Sequence, residues 1–178
     1  FDNAADRLVS FAFSQGKKRA IIVHAKNVAG ENGRNAIAKA LAKVGAAPAG
    51  VEGYDFTPDG VVGAAGRVAA KASATGSDVI LMTAAPGDGD LVMLAQVIPE
   101  AGVNPATVQY AGIARWDIAP SMFNLPGIQG GWFVLPNPVK DAQFKSRYRA
   151  AAGSDPHPLA SLAYDGVAIA AAAAGRRN

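Results

Sequence analysis

The sequence contains no cysteine, which excludes disulfides, thiolate nucleophiles and thiolate metal sites together. Histidine is almost as scarce: His24 lies within an apolar run and His157 between prolines, far apart, a buried and a surface histidine rather than a catalytic or metal-binding pair. None of the serines stands in a Gly-x-Ser-x-Gly elbow. The glycine-bearing stretches Gly30-Glu31-Asn32-Gly33 and Gly87-Asp88-Gly89 have neither dinucleotide-fingerprint spacing nor a Gly-Lys-Ser/Thr ending. The expectation is a non-catalytic protein with no cofactor and no metal. Long apolar runs are missing too: nothing approaches the ~20 residues of a membrane span, and the alanine tract at residues 168–174 is short and weakly apolar. Only 17% of residues are charged, and the net charge of +3 is scattered apart from Lys17-Lys18-Arg19 and Arg176-Arg177. Without a basic stripe interleaved with aromatics, nucleic acid is not the expected partner. The chain opens at Phe1 with neither a methionine nor a secretory signal, and is expected to be a processed or excised piece.

What is present is a half-hydrophobic chain of 178 residues with 20 glycines and 11 prolines, enough for one well-buried domain. Residues 19–25 form a β-branched apolar run without proline, as in a strand covered on both faces. A glycine-bearing loop is expected over residues 26–33, then a helix over 35–44 on which Ile37, Ala38, Leu41 and Val44 recur at helical spacing. Strands are expected at residues 50–56, 78–83, 107–113 and 131–135. Helices are expected at 3–15, 61–72, 91–98, 139–152 and 159–174, with Asp2 or Asn3, Asp59 and Asn137 as N-caps. This alternation predicts an α/β fold, an open, mainly parallel five-stranded sheet in order 2-1-3-4-5 with helices on both faces and the 19–25 strand inside the sheet.

In such a sheet ligands bind beyond the carboxyl ends of the strands, near the point where strand order reverses. That rule selects Lys26, Asn27 and Val28 after the first strand, Thr83, Ala84, Ala85 and Pro86 after the third, and Arg115 and Trp116 after the fourth. Trp116 beside Arg115 combines an apolar plate with a fork of donors suited to an anion or small polar ligand. The alternative is that Trp116 plugs the sheet edge while Arg115 pairs with a surface acid. Asp88 and Asp90 stand at a helix start, where capping and the helix dipole account for acids.

The runs Gly16-Lys17-Lys18-Arg19-Ala20-Ile21-Ile22, Asp78-Val79-Ile80-Leu81 and Gly130-Gly131-Trp132-Phe133 resemble those of type I periplasmic solute-binding proteins, the extracellular receptor family that includes leucine/isoleucine/valine-binding proteins. Phe144-Lys145-Ser146-Arg147-Tyr148 and Leu162-Ala163-Tyr164-Asp165-Gly166-Val167 are similar to the family's Phe-x-x-x-Tyr and Ala-Tyr-Asp-Ala-Val patterns. The resemblance implies a two-lobe protein that closes on a ligand in a cleft. Residues 1–135 would be the second lobe, and 136–178 the crossover and helices returning to a first lobe that this chain lacks. It implies a substrate-binding component of an ABC-type transporter, taking an amino acid or related polar solute and partnering a membrane permease. A related branch implies an alternative, a periplasmic lipoprotein-type regulator that binds a cell-wall synthase. Either would be periplasmic, with a lipid anchor possible in the complete protein.

Overall fold

Ala5, Leu8, Val9 and Ala12 recur at helical spacing, and all four are buried on α1 (Asp2–Ser14). The computed structural model describes residues 1–161, 163, 164, 166 and 167. Phe1, rather than Asp2 or Asn3, occupies the N-cap position, and Gly16 turns the chain with φ 80°. β1 (Ala20–Ala25) follows and is buried along its whole length.

The first departure from expectation comes next. α2 (Val28–Lys43) begins seven residues before residue 35 and includes Gly30 and Gly33, so these glycines belong to a helix and not to a loop. The reason is close approach: a Cβ on Gly30 would collide with the carbonyl oxygen of Ala25, and one on Gly33 would lie 2.8 Å from Thr83 Cγ2. β2 (Gly50–Tyr54) and α3 (Pro58–Thr75) come after it. Thr57, not Asp59, caps α3, its hydroxyl oxygen accepting from the Gly60 N–H at 3.1 Å. The chain continues through β3 (Val79–Met82), a 3-10 turn over Pro86–Asp88, α4 (Asp90–Glu100), and β4 (Gln109–Gly112). Two short 3-10 helices, Trp116–Ile118 and Pro120–Asn124, lead to the two-residue β5 (Trp132–Phe133).

The five strands form one all-parallel sheet in order β2-β1-β3-β4-β5, the expected topology with β1 interior. Register places Ile21 opposite both Gly50 and Ile80, Ile80 opposite Tyr110, and Ala111 opposite Trp132. Because side chains alternate along a strand, the sheet separates two cores. Ile21, Val23, Ile80 and Met82 pack with Val61, Val68, Leu91 and Leu94 of α3 and α4. Ile22, Val79 and Leu81 pack with Leu8, Val9, Ile37 and Leu41 of α1 and α2. At the β2 edge, Glu52 is buried and receives Arg67 Nε at 3.1 Å and Lys71 Nζ at 3.2 Å, while Arg67 Nη2 donates to the Gly53 carbonyl at 3.3 Å. These contacts charge and partly cover an edge that would otherwise template another strand.

Contacts divide the chain into two compact units, Phe1–Val134 and Leu135–Asn178. The second carries α5 (Pro138–Ala152), capped by Asn137, whose side-chain oxygen accepts from Val139 N at 3.0 Å and Lys140 N at 3.2 Å. Within it Phe144 stacks with Tyr148 and Tyr164 at ring separations of 5.9 and 5.3 Å. Asp141 pairs with Lys145 and Arg149 with Asp155. The helix expected over residues 159–174 falls largely outside the described residues, as do Leu162 and Asp165.

Candidate functional site

Strand order reverses between β1 and β3, since β2 lies on the far side of β1, and the carboxyl ends of these strands emerge side by side. Ladder hydrogen bonds continue past the strand ends and fix the exits. Lys26 N donates to the Tyr54 carbonyl at 2.8 Å, Thr83 N to the Val23 carbonyl at 3.1 Å, and Ile113 N to the Met82 carbonyl at 3.2 Å.

At the β1 exit, Lys26 Nζ pairs with Asp55 Oδ2 at 3.1 Å, both side chains at least half exposed. Asn27 is the N-cap of α2, its side-chain oxygen accepting from Gly30 N at 2.8 Å, and Val28 follows with 79% of its surface exposed. At the β3 exit, Thr83, Ala85 and Pro86 are half-buried and Ala84 is buried. Gly89, at φ 81°, then turns the chain into α4. The structure therefore sets residues 26–28 and 83–86 at the ends of neighbouring strands.

The β4 exit differs from the plate-and-fork arrangement. Arg115 closes a fork on Asp117, with Nε donating to Oδ1 at 2.7 Å and Nη2 to Oδ2 at 2.6 Å. Trp116 has no exposed surface. Its ring lies 5.9 Å from that of Phe133, and a Cβ on Gly112 would come within 2.6 Å of its Nε1. The indole is a core side chain, so it offers a ligand no face here; it supports the exit from beneath, as in the alternative that has Trp116 plugging the sheet and Arg115 paired with an acid.

Two further contacts at the strand exits join residues that the sequence read only singly, His24 as buried and Asp90 at a helix start. His24, buried at the end of β1, has Nδ1 3.1 Å from the Ala25 carbonyl and 3.6 Å from Glu31 Oε1, and Glu31 in turn pairs with Arg34 at 2.8 Å. On the opposite face the Tyr54 hydroxyl donates to the carboxylate of Asp90, and both residues are buried. Tyr54 falls inside the strand expected at 50–56 and Asp90 just before the helix expected at 91–98, and nothing in their spacing of 36 residues joins them. Among the described residues no group of three or more histidine, aspartate or glutamate side chains is placed to hold a metal. No described helix is long and apolar enough to cross a membrane.

An α/β lobe with its strand exits gathered at a switch point is a binding architecture, and residues 1–177 match the family model described as periplasmic binding protein. The chain belongs to that family. No curated protein matches the sequence. Solved structures of periplasmic binding proteins share the fold. A putative branched-chain amino acid ABC transporter protein from Rhodospirillum rubrum superposes with TM-score 0.65 at 19% identity, covering 97% of this chain and 49% of that one. The ABC transporter substrate-binding protein from Desulfitobacterium hafniense, complexed with Leu, gives 0.63 at 19% identity, covering 94% and 47%. A leucine-binding protein from Thermotoga maritima gives 0.58 at 18% identity, covering 93% and 47%. The chain thus spans just under half the length of each of these three periplasmic binding proteins, and at these identities the likeness is one of fold.

Proposed function

We propose that this chain supplies one lobe of a non-catalytic solute-binding protein serving an ABC-type transporter. On this reading residues 1–135 are the second lobe and residues 136–178 return to the first. The observation that carries it is the sheet order: within a chain of this family, reversal between β1 and β3 gathers residues 26–28 and 83–86 at one edge, where open α/β sheets take ligands. The cleft wall on this side is then Lys26, Asn27, Val28, Thr83, Ala84, Ala85 and Pro86, flanked by Arg115, with Trp116 as its buried support. A small polar solute, an amino acid or a relative of one, fits an edge that mixes an exposed valine with lysine, asparagine and threonine and that carries backbone close to the surface at alanine and proline. Among the fold neighbours, one is complexed with Leu and others are named for branched-chain amino acids, which supports the same class. The partner is the transporter's permease and the location the periplasm, with a lipid anchor in the complete protein if one precedes this lobe.

The test is a thermal-shift screen of the two-lobe protein against amino acids, small carboxylates and other metabolites. A ligand at a hundred times its dissociation constant contributes about 2.7 kcal/mol of stability, which such a screen resolves. A shift from any of these solutes is the expected result. Silence across the library, together with retention of a cell-wall synthase in pull-down, would overturn transport in favour of the regulator.

A further inference from the structure

Three strand exits meet at one residue that no ligand can touch. Tyr54, the last residue of β2, has no exposed surface. Its carbonyl accepts the N–H of Lys26, the first residue beyond β1, at 2.8 Å. Its side chain reaches the other way: the hydroxyl donates to Asp90 Oδ2, on the first residue of α4 and immediately beyond the 83–89 segment that leaves β3. The other carboxylate oxygen of Asp90, Oδ1, accepts from Leu91 N at 2.8 Å, so the same carboxylate meets the first turn of α4 and the phenol. The next residue, Asp55, pairs with Lys26. Tyr54 thus spans from the β1 exit to the far end of the β3 exit.

We propose that Tyr54 and Asp90 are positioning residues of the cleft wall: their buried hydrogen bond holds the 83–89 segment in register with residues 26–28. The physical case rests on what the segment lacks. It carries two alanines, two glycines and one proline, with little side-chain mass to hold it in place. Its near end is tied by Thr83 N to the Val23 carbonyl at 3.1 Å and its far end by Asp90. A hydrogen bond buried on both sides is costly to break, because the group left without its partner carries its full desolvation. Loss of the phenol hydroxyl should therefore release the far end of the segment without disturbing the opposite face of the sheet, where α1 and α2 pack. The inference rests on the proposed cleft only for its consequence for ligand binding; the latch itself does not.

Amide hydrogen exchange of the chain, followed by mass spectrometry well below its melting temperature, tests it. In Tyr54→Phe and in Asp90→Ala, peptides covering residues 83–89 should exchange about tenfold faster or more, while peptides from α1 and α2 keep their protection. Asp90→Asn should fall between the parent and Asp90→Ala, because its amide oxygen can accept from Leu91 N and its NH2 can donate to the phenol oxygen, while the phenol proton loses its carboxylate acceptor. Equal acceleration over the whole sheet would reduce the pair to general core stability and overturn the proposal, as would unchanged exchange in 83–89. Should Asp90→Ala fail to fold, Tyr54→Phe keeps the ring and the backbone contacts and carries the test alone. In the two-lobe protein, titration with L-leucine should show weaker binding in Tyr54→Phe than in Asp90→Asn. If L-leucine and the rest of the solute panel leave the parent unshifted, the transport reading falls, and exchange still decides the latch.

Discussion

Gly30 and Gly66 both sit inside helices, and their surroundings give opposite expectations for an added methyl group. A Cβ on Gly30 meets the backbone oxygen of Ala25, which cannot give way, whereas one on Gly66 meets nothing within 4 Å. Gly66→Ala should raise stability by about 0.8–1 kcal/mol through helix propensity. Gly30→Ala should lower it by about 1–3 kcal/mol through overpacking, with urea denaturation reading both. A second prediction concerns Tyr110, whose buried hydroxyl donates to the Val103 carbonyl at 2.7 Å and whose pKa is pushed up by burial. The phenol is neutral when protonated, so a raised folded-state pKa means the native state holds its proton more tightly than the unfolded chain. That contribution is complete below the ~10 of a free phenol and is lost as pH climbs above it. Stability should therefore fall above about pH 10, and less steeply in Tyr110→Phe, as followed by denaturant midpoints against pH. At this scale the sequence hid the most. Nothing beside Trp116 says whether its ring faces a ligand or the core, because that depends on Gly112 and Gly131 leaving room for it across the sheet.

Helix starts show how a local signal is read correctly in kind and misread in place. Asn137 followed by Pro138 was legible as the cap of α5 because the pairing of an acceptor side chain with a proline at the first helical position is a local code. The start of α2 was not, since glycine ordinarily signals a loop and only the nearness of β1 explains Gly30 in a first helical turn. Asn27 then belongs to two accounts at once: a cap for α2 and a wall residue of the proposed cleft. These can be separated. Asn27→Ala should cost about 1 kcal/mol of stability, and Asn27→Ser, which keeps a capping oxygen, much less. If the side chain also meets the solute, both variants lose affinity in the two-lobe protein. If it serves only as the cap, Asn27→Ser binds like the parent in a calorimetric titration. Strand order was legible from alternation alone, because right-handed crossovers leave few ways to wind five βα units into one parallel sheet. Strand lengths were overestimated: β5 pairs over only two residues where a five-residue strand was expected, since apolar residues also serve the packing beneath a sheet edge.

A chain that spans just under half of the periplasmic binding proteins it superposes on raises the question of what the proposed cleft wall can do alone. Pockets for small molecules bury most of the ligand's surface, and a single wall leaves the greater part of it in water. The charged groups at this wall are already satisfied within the lobe: Lys26 pairs with Asp55, Glu31 with Arg34, and Arg115 with Asp117. A polar solute must compete with these pairs while keeping most of its own hydration. The alanines at the β3 exit give it little area in return. Association also costs several kcal/mol of translational and rotational freedom before any contact counts. Calorimetric titration of the 178-residue chain with amino acids and small carboxylates should therefore show nothing tighter than about 1 mM, an association of about 4 kcal/mol. The two-lobe protein should bind the same solute at least a hundredfold more tightly, since closure roughly doubles the contact area without a second loss of translational freedom. A micromolar constant for the chain alone would mean that the strand exits form a complete site without a second wall, and the cleft model would have to be abandoned.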